Sequence, residues 1–191
     1  MLYAVGDGNH SLATAKACWE NVKKSGVDVK NHPARYALVE IENIHDHALD
    51  FEPIHRIITN CNADDLLKEL DNCCGISKSG SESEQQISSV IKGKATKLYI
   101  KNPTSILAVG TLQNFLDKYI ADKNCEIDYI HGDDVVSDLS MQDNSIGFLL
   151  PSMEKSDLFK TIITDGILPR KTFSMGEACD KRFYVEARKI K

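Results

Sequence analysis

The sequence predicts an α+β protein, a mixed α/β fold in which helices pack on a mixed sheet. Apolar runs of strand length alternate with segments of helical spacing. Two of those runs flank Gly93 closely enough to form a hairpin, which a purely alternating βα chain would lack. At 191 residues, 42% of them hydrophobic, the chain has enough apolar material for one substantial core, so residues 1–191 are expected to form a single domain.

The first expected strand is 2–5. It leads through a two-glycine turn into an amphipathic helix over 10–24, whose buried stripe would be Leu12, Ala15, Cys18, Trp19 and Val22. Residues 36–42, Tyr-Ala-Leu-Val-Glu-Ile-Glu, read as a strand. Phe51-Glu52-Pro53 marks a turn before a strand at 54–59. Asn62 is a natural N-cap for a helix over 63–72. The polar, serine-rich segment that follows predicts a flexible loop near 75–86. A hairpin (87–92 and 95–101), a helix (111–122) and a strand (126–130) come next. His131-Gly132-Asp133-Asp134 opens a short helix, and 146–150 is a strand stopped by Pro151. A helix ending near Thr164 is closed by Gly166. Strands near 170–174 and 182–188 finish the chain.

Bulk properties narrow the function. The net charge is −5 and no long basic run occurs, so nucleic acid is disfavoured as the principal partner. No apolar run approaches the ~20 residues of a membrane span, and no secretory signal is legible, so a cytoplasmic protein without membrane contact is expected. The six cysteines, 18, 61, 73, 74, 125 and 179, contain no Cys-x-x-Cys pair and read as reduced thiols. His45-Asp46-His47 lacks a third ligand nearby and reads as a solvated loop, so no metal site is expected.

The chemistry concentrates at Asp7-Gly8-Asn9-His10-Ser11. A sharp entry into a helix leaves unpaired amides at the positive end of the helix dipole, a setting that favours phosphate or carboxylate. Asp7 would accept a proton there, and His10 would donate a hydrogen bond or titrate near neutrality. Asp and Asn also serve as plain N-caps, so a capped helix start is the competing reading. His131 ends an apolar strand at a second polar turn. His55 and Arg56 lie on opposite faces of one strand, so a regular strand cannot aim both at one ligand. Arg170, Lys171, Lys181 and Arg182 form the densest cationic region, suited to clamping an acidic small molecule or to guarding an edge strand. No P-loop and no nucleophile elbow occur.

Five ordered segments carry a family resemblance. They are Val5-Gly6-Asp7-Gly8-Asn9-His10-Ser11-Leu12-Ala13-Thr14-Ala15-Lys16, Pro53-Ile54-His55-Arg56, Ile127-Asp128-Tyr129-Ile130-His131-Gly132, Gly147-Phe148-Leu149-Leu150-Pro151 and Leu168-Pro169-Arg170-Lys171-Thr172-Phe173. Together they resemble the family known as domain of unknown function 1015. Members are usually about twice as long, which implies that this chain is a C-terminal portion whose partner would be the N-terminal half. Many members read Asp-Gly-His-His-Arg at the opening motif, where this chain reads Asp-Gly-Asn-His-Ser. The Asp-Gly-His-His-Arg form is in turn similar to the ligand motif of the ParB/sulfiredoxin-like superfamily, which includes an ADP-dependent free-serine kinase.

The resemblance implies a phosphate- or nucleotide-handling small-molecule enzyme, a kinase-like phosphotransferase acting on a hydroxy-amino acid such as serine. Asp7 and His10 would be catalytic, and Gly8, Asn9, Ser11, His55, Arg56, His131 and Lys171 would hold the phosphorylated small molecule or nucleotide. ADP or ATP with Mg is the expected cofactor. The alternatives are a non-catalytic nucleotide- or anion-binding regulatory module and, less favoured, a DNA-associated ParB-like protein.

Overall fold

The structure, a computed structural model, describes residues 2–176, and its contacts cluster into two compact units. The expected strand at 182–188, Lys181, Arg182 and Cys179 lie outside the described residues.

The first unit comprises residues 1–50 together with the chain from Met175 onward. Its main element is helix α1, Asn9–Lys24, which ends in Lys23 and Lys24 as the dipole favours. A single 3₁₀ turn follows at Pro33–Arg35. The segments 2–5 and 36–42 are not strands here. Their apolar spacing suits a sheet, but a strand exists only through a ladder of bonds to a neighbour. Leu2 and Leu38 accordingly stand 79% and 89% exposed. None of the described residues of 2–50 is buried, so the apolar stripe of α1 covers no core of its own.

The second unit, Phe51–Ser174, holds the core. Its elements are β1 (Phe51–Pro53), β2 (His55–Thr59), α2 (Ala63–Cys74), β3 (Ile76–Ser77), β4 (Gln85–Ile91), β5 (Lys94–Ile100), α3 (Ala108–Asp122), β6 (Glu126–Ile130), α4 (Asp133–Leu139), β7 (Ile146–Leu149), α5 (Lys155–Asp165) and all but the last residue of β8 (Phe173–Met175). Asn62 caps α2 as its sequence suggests, its side chain accepting the Asp65 amide at 3.0 Å. The hairpin turns on Lys92 and Gly93, both at positive φ, the geometry of a two-residue hairpin turn. The segment near 75–86 is ordered in part: Ile76 and Ser77 pair with Ile100 and Tyr99, and the Glu84 carboxylate accepts the Ser81 amide.

Six strands form one sheet in the order β3-β5-β4-β7-β2-β6, with every pairing antiparallel. The α+β class is therefore as the sequence predicts, on an antiparallel sheet. β1 and β8 form a separate two-stranded sheet, where Phe51 stacks on Phe173 at 4.2 Å.

Strand β2 lies between β7 and β6, and its register decides which side chain faces which layer. Arg56 and Ile58 stand level with Phe148 and Ile146, on the face where Leu66, Leu70, Leu112 and Leu116 of α2 and α3 complete the main core. His55 and Ile57 face the other way, toward α4. Gly147 of β7 lies under that helix; a Cβ there would stand 2.4 Å from Val136 Cγ1, so only glycine lets α4 approach this closely.

Candidate functional site

In the first unit, the turn at Asp7 enters α1 through Gly8. Gly8 is the N-cap, at φ 76 and ψ 16, a left-handed conformation that glycine adopts without penalty. The Gly8 amide donates to Asp7 Oδ1 at 2.8 Å, which fixes the carboxylate against the turn. The first intrahelical bond runs from the Leu12 amide to the Gly8 carbonyl, 2.9 Å. The amides of Asn9, His10 and Ser11 therefore come before the helix's own carbonyls can receive them, and the N-cap brings no side chain to satisfy them. Asp7, Asn9, His10 and Ser11 are all exposed. The turn thus offers three successive donors beside a carboxylate and an imidazole. The strand expected before it is absent, so the turn is not entered from a sheet edge.

In the second unit the other expected site residues separate by face. His55 is buried, its side chain 3% exposed, and both ring nitrogens are engaged. Nδ1 accepts the Leu150 amide at 3.1 Å, so the proton resides on Nε2, which donates to Asp133 Oδ1 at 2.7 Å. Burial pushes the His55 pKa below the usual imidazole value, and the Asp133 carboxylate opposes that shift. Asp133 is itself 73% exposed, so the pair fixes one oxygen of a surface carboxylate at the start of α4. Gly132, at φ +87, makes the turn that brings it there.

On the opposite face Arg56 is fully buried. Its Nε donates to Gln113 Oε1 at 2.9 Å, Nη1 to the Ile54 carbonyl at 2.6 Å and Nη2 to the Arg170 carbonyl at 3.2 Å. Gln113 Nε2 donates on to Asp117 Oδ1 at 2.7 Å, and Arg170 Nη2 stands 3.8 Å from the same oxygen. Both guanidinium groups approach the Tyr129 ring, Arg56 at 4.5 Å and Arg170 at 5.5 Å from its centroid. Burial lowers the Arg56 pKa to about 10, which leaves it charged at neutral pH. This arrangement closes a ring through β2, α3 and the turn before β8. Arg56 holds the fold together here; its donors point at protein oxygens.

Lys171 is exposed at φ 56 in the turn that Arg56 secures, where Thr172 Oγ1 donates to the Pro169 carbonyl at 2.6 Å. His131 is exposed at the end of β6. Asp133, Gln113 and Asp117 are the residues that sequence reasoning missed in these roles. Each lies more than fifty positions from its partner on β2 or in the turn before β8, and only the folded sheet joins them. The described residues contain no group of three or more His, Cys, Asp or Glu able to hold a metal ion. No helix among them is long and apolar enough to cross a membrane.

A family model described as "Protein of unknown function (DUF1015)" matches residues 1–119. No curated protein matches the chain. Two solved structures are similar in fold. One is a conserved hypothetical protein from Pyrococcus furiosus, with TM-score 0.56 and 11% identity over 87% of this chain and 84% of that one. The other is a free serine kinase, solved as a point mutant in complex with AMP, with TM-score 0.55 and 12% identity over 86% of this chain and 80% of that one.

Proposed function

Within the DUF1015 family, to which this chain belongs, we propose a phosphate- or nucleotide-handling role, with phosphoryl transfer to or from a small hydroxylated molecule such as serine. One observation carries the reading: the left-handed Gly8 opens α1 on three amide donors, flanked by the exposed Asp7 and His10. The fold shared with a free serine kinase solved with AMP supports an adenine nucleotide as ligand. Phosphoryl transfer asks mainly for positioning and charge neutralisation, which backbone amides and a helix dipole supply.

In this reading the amides of Asn9, His10 and Ser11 receive phosphate oxygens, and the His10 imidazole donates to the transferring group. Asp7 accepts the proton of the attacking hydroxyl. Its bond to the Gly8 amide already orients the carboxylate against the turn. That bond also engages the carboxylate within the turn itself, which favours a second reading in which the turn binds nucleotide without turnover. His55 and Arg56 enter as supports, their donors being committed within the fold. Lys171 and His131 are exposed in the second unit.

A thermal-shift screen of AMP, ADP, ATP, serine and phosphoserine, with and without Mg²⁺, tests binding. A ligand at about 100 times its Kd adds ~2.7 kcal/mol to stability. We expect a nucleotide to raise Tm and Gly8→Val to abolish the rise, with Lys171→Ala and His131→Ala scored alongside. We also expect Asp7→Asn to retain binding and lose transfer of labelled phosphate. No shift with any nucleotide refutes the proposal; a shift without transfer establishes the regulatory reading.

A further inference from the structure

In the second unit, a cavity of about 570 Å³ is lined by Asn60, Cys61, Asp65, Tyr119, Lys123 and Cys125, among others, where strand β2 ends and strand β6 begins. The register pairs Thr59 with Glu126, so continuing the ladder by one step sets Asn60 against Cys125. Cys125 Sγ indeed lies 3.5 Å from the Asn60 carbonyl. In a regular strand Cys61 would then point to the opposite face. Asn60 is left-handed, at φ 55, which breaks the strand there, and Cys61 and Cys125 both line the one cavity. Cys61 is buried and Cys125 half-buried, so Cys125 is the more accessible of the two.

We propose that Cys61 and Cys125 form a dithiol site that exchanges with low-molecular-weight disulfides, closing an intramolecular bridge between the β2–α2 turn and β6. Cys125, its proton released to solvent, attacks one sulfur of the small disulfide. That S–S bond breaks, a mixed disulfide forms on Cys125, and the departing thiolate takes a proton from water. Cys61, deprotonated in turn, attacks Cys125 Sγ and expels the second thiol. The small disulfide gains the two electrons that the protein dithiol loses.

The surroundings set the rate. Burial pushes the Cys61 thiol up to about 11, and Cys125 adds to that shift. Cys125 is also raised by burial; Lys123 opposes the shift and Asp65 adds to it. Tyr119, whose hydroxyl donates to Asp65 at 2.9 Å, is the remaining titratable group facing the pair. Thiolate is therefore scarce at neutral pH, and exchange should quicken about tenfold per pH unit on the alkaline side.

The test treats the full chain, under native conditions at mildly alkaline pH, with oxidised glutathione, followed by alkylation and mass spectrometry. Trypsin places the two cysteines in separate peptides, 57–68 and 124–155, distinct from that of Cys73 and Cys74. The expected product is two hydrogens lighter than the reduced chain, with these peptides linked. Cys61→Ser, or Cys61→Ala if serine is not tolerated in the core, should stop at a glutathione adduct on Cys125. Cys125→Ser should give no linked peptide. The proposal is overturned if the folded chain, checked by circular dichroism, returns both cysteines unlinked. It is equally overturned if the link forms only in denaturant.

Discussion

His55 is held as a neutral ring between a backbone amide and a carboxylate, and this couples stability to pH. Its folded pKa lies below the ordinary 6.5, so in the window beneath 6.5 the unfolded chain binds the extra proton. The stabilisation is complete above 6.5 and is lost as pH falls from there through the folded value. Urea titrations between pH 7.5 and 5 should show stability declining in the wild type, with a flatter profile in His55→Gln. Arg56 gives a different prediction. Arg56→Met fills much of the same volume but leaves the Gln113 and Arg170 oxygens unpaired; a loss on the order of 3 kcal/mol is expected by chemical denaturation. The sequence places these neighbours on opposite faces of a strand, and the structure agrees. Their roles were not legible, because Asp133 and Gln113 come alongside only when β6, α4 and α3 fold onto β2.

At the scale of elements, two glycines make opposite demands. Gly147 is required by packing: Gly147→Ala would drive a methyl against Val136 and should cost about 1–3 kcal/mol by the same titration. Gly8 is required by backbone angle alone, since nothing lies within 4 Å of its missing Cβ. Gly8→Ala should cost about 1–2 kcal/mol, confined to α1 and measurable as faster hydrogen exchange there. The helices and the hairpin were readable because their signals are local: Asn62 caps α2, and Lys92-Gly93 turns the hairpin. The segments 2–5 and 36–42 carry an equally plain strand pattern, yet neither is a strand in the structure. Periodicity reports which face of a segment is apolar and cannot report whether an edge stands ready to receive it.

Across the molecule, burial is unevenly shared. The second unit holds every buried residue among those described, including the cluster of Leu66, Leu70, Leu112, Leu116 and Phe148. Native-state hydrogen exchange should find α3 amides opening only with global unfolding and α1 amides exchanging by cheap local opening. The α+β class was legible from the mixture of patterns. The antiparallel strand order was not, because β2 pairs with β6 and β7 across scores of intervening residues.

The oxygens that receive the Arg56 hydrogen bonds are a carboxamide and main-chain carbonyls. None of these takes up a proton in the range where Asp and Glu become neutral. The tie between β2, α3 and the approach to β8 should consequently persist in acid that dissolves the chain's surface ion pairs. Acid unfolding would begin at the other face of the same strand, where His55 leans on Asp133.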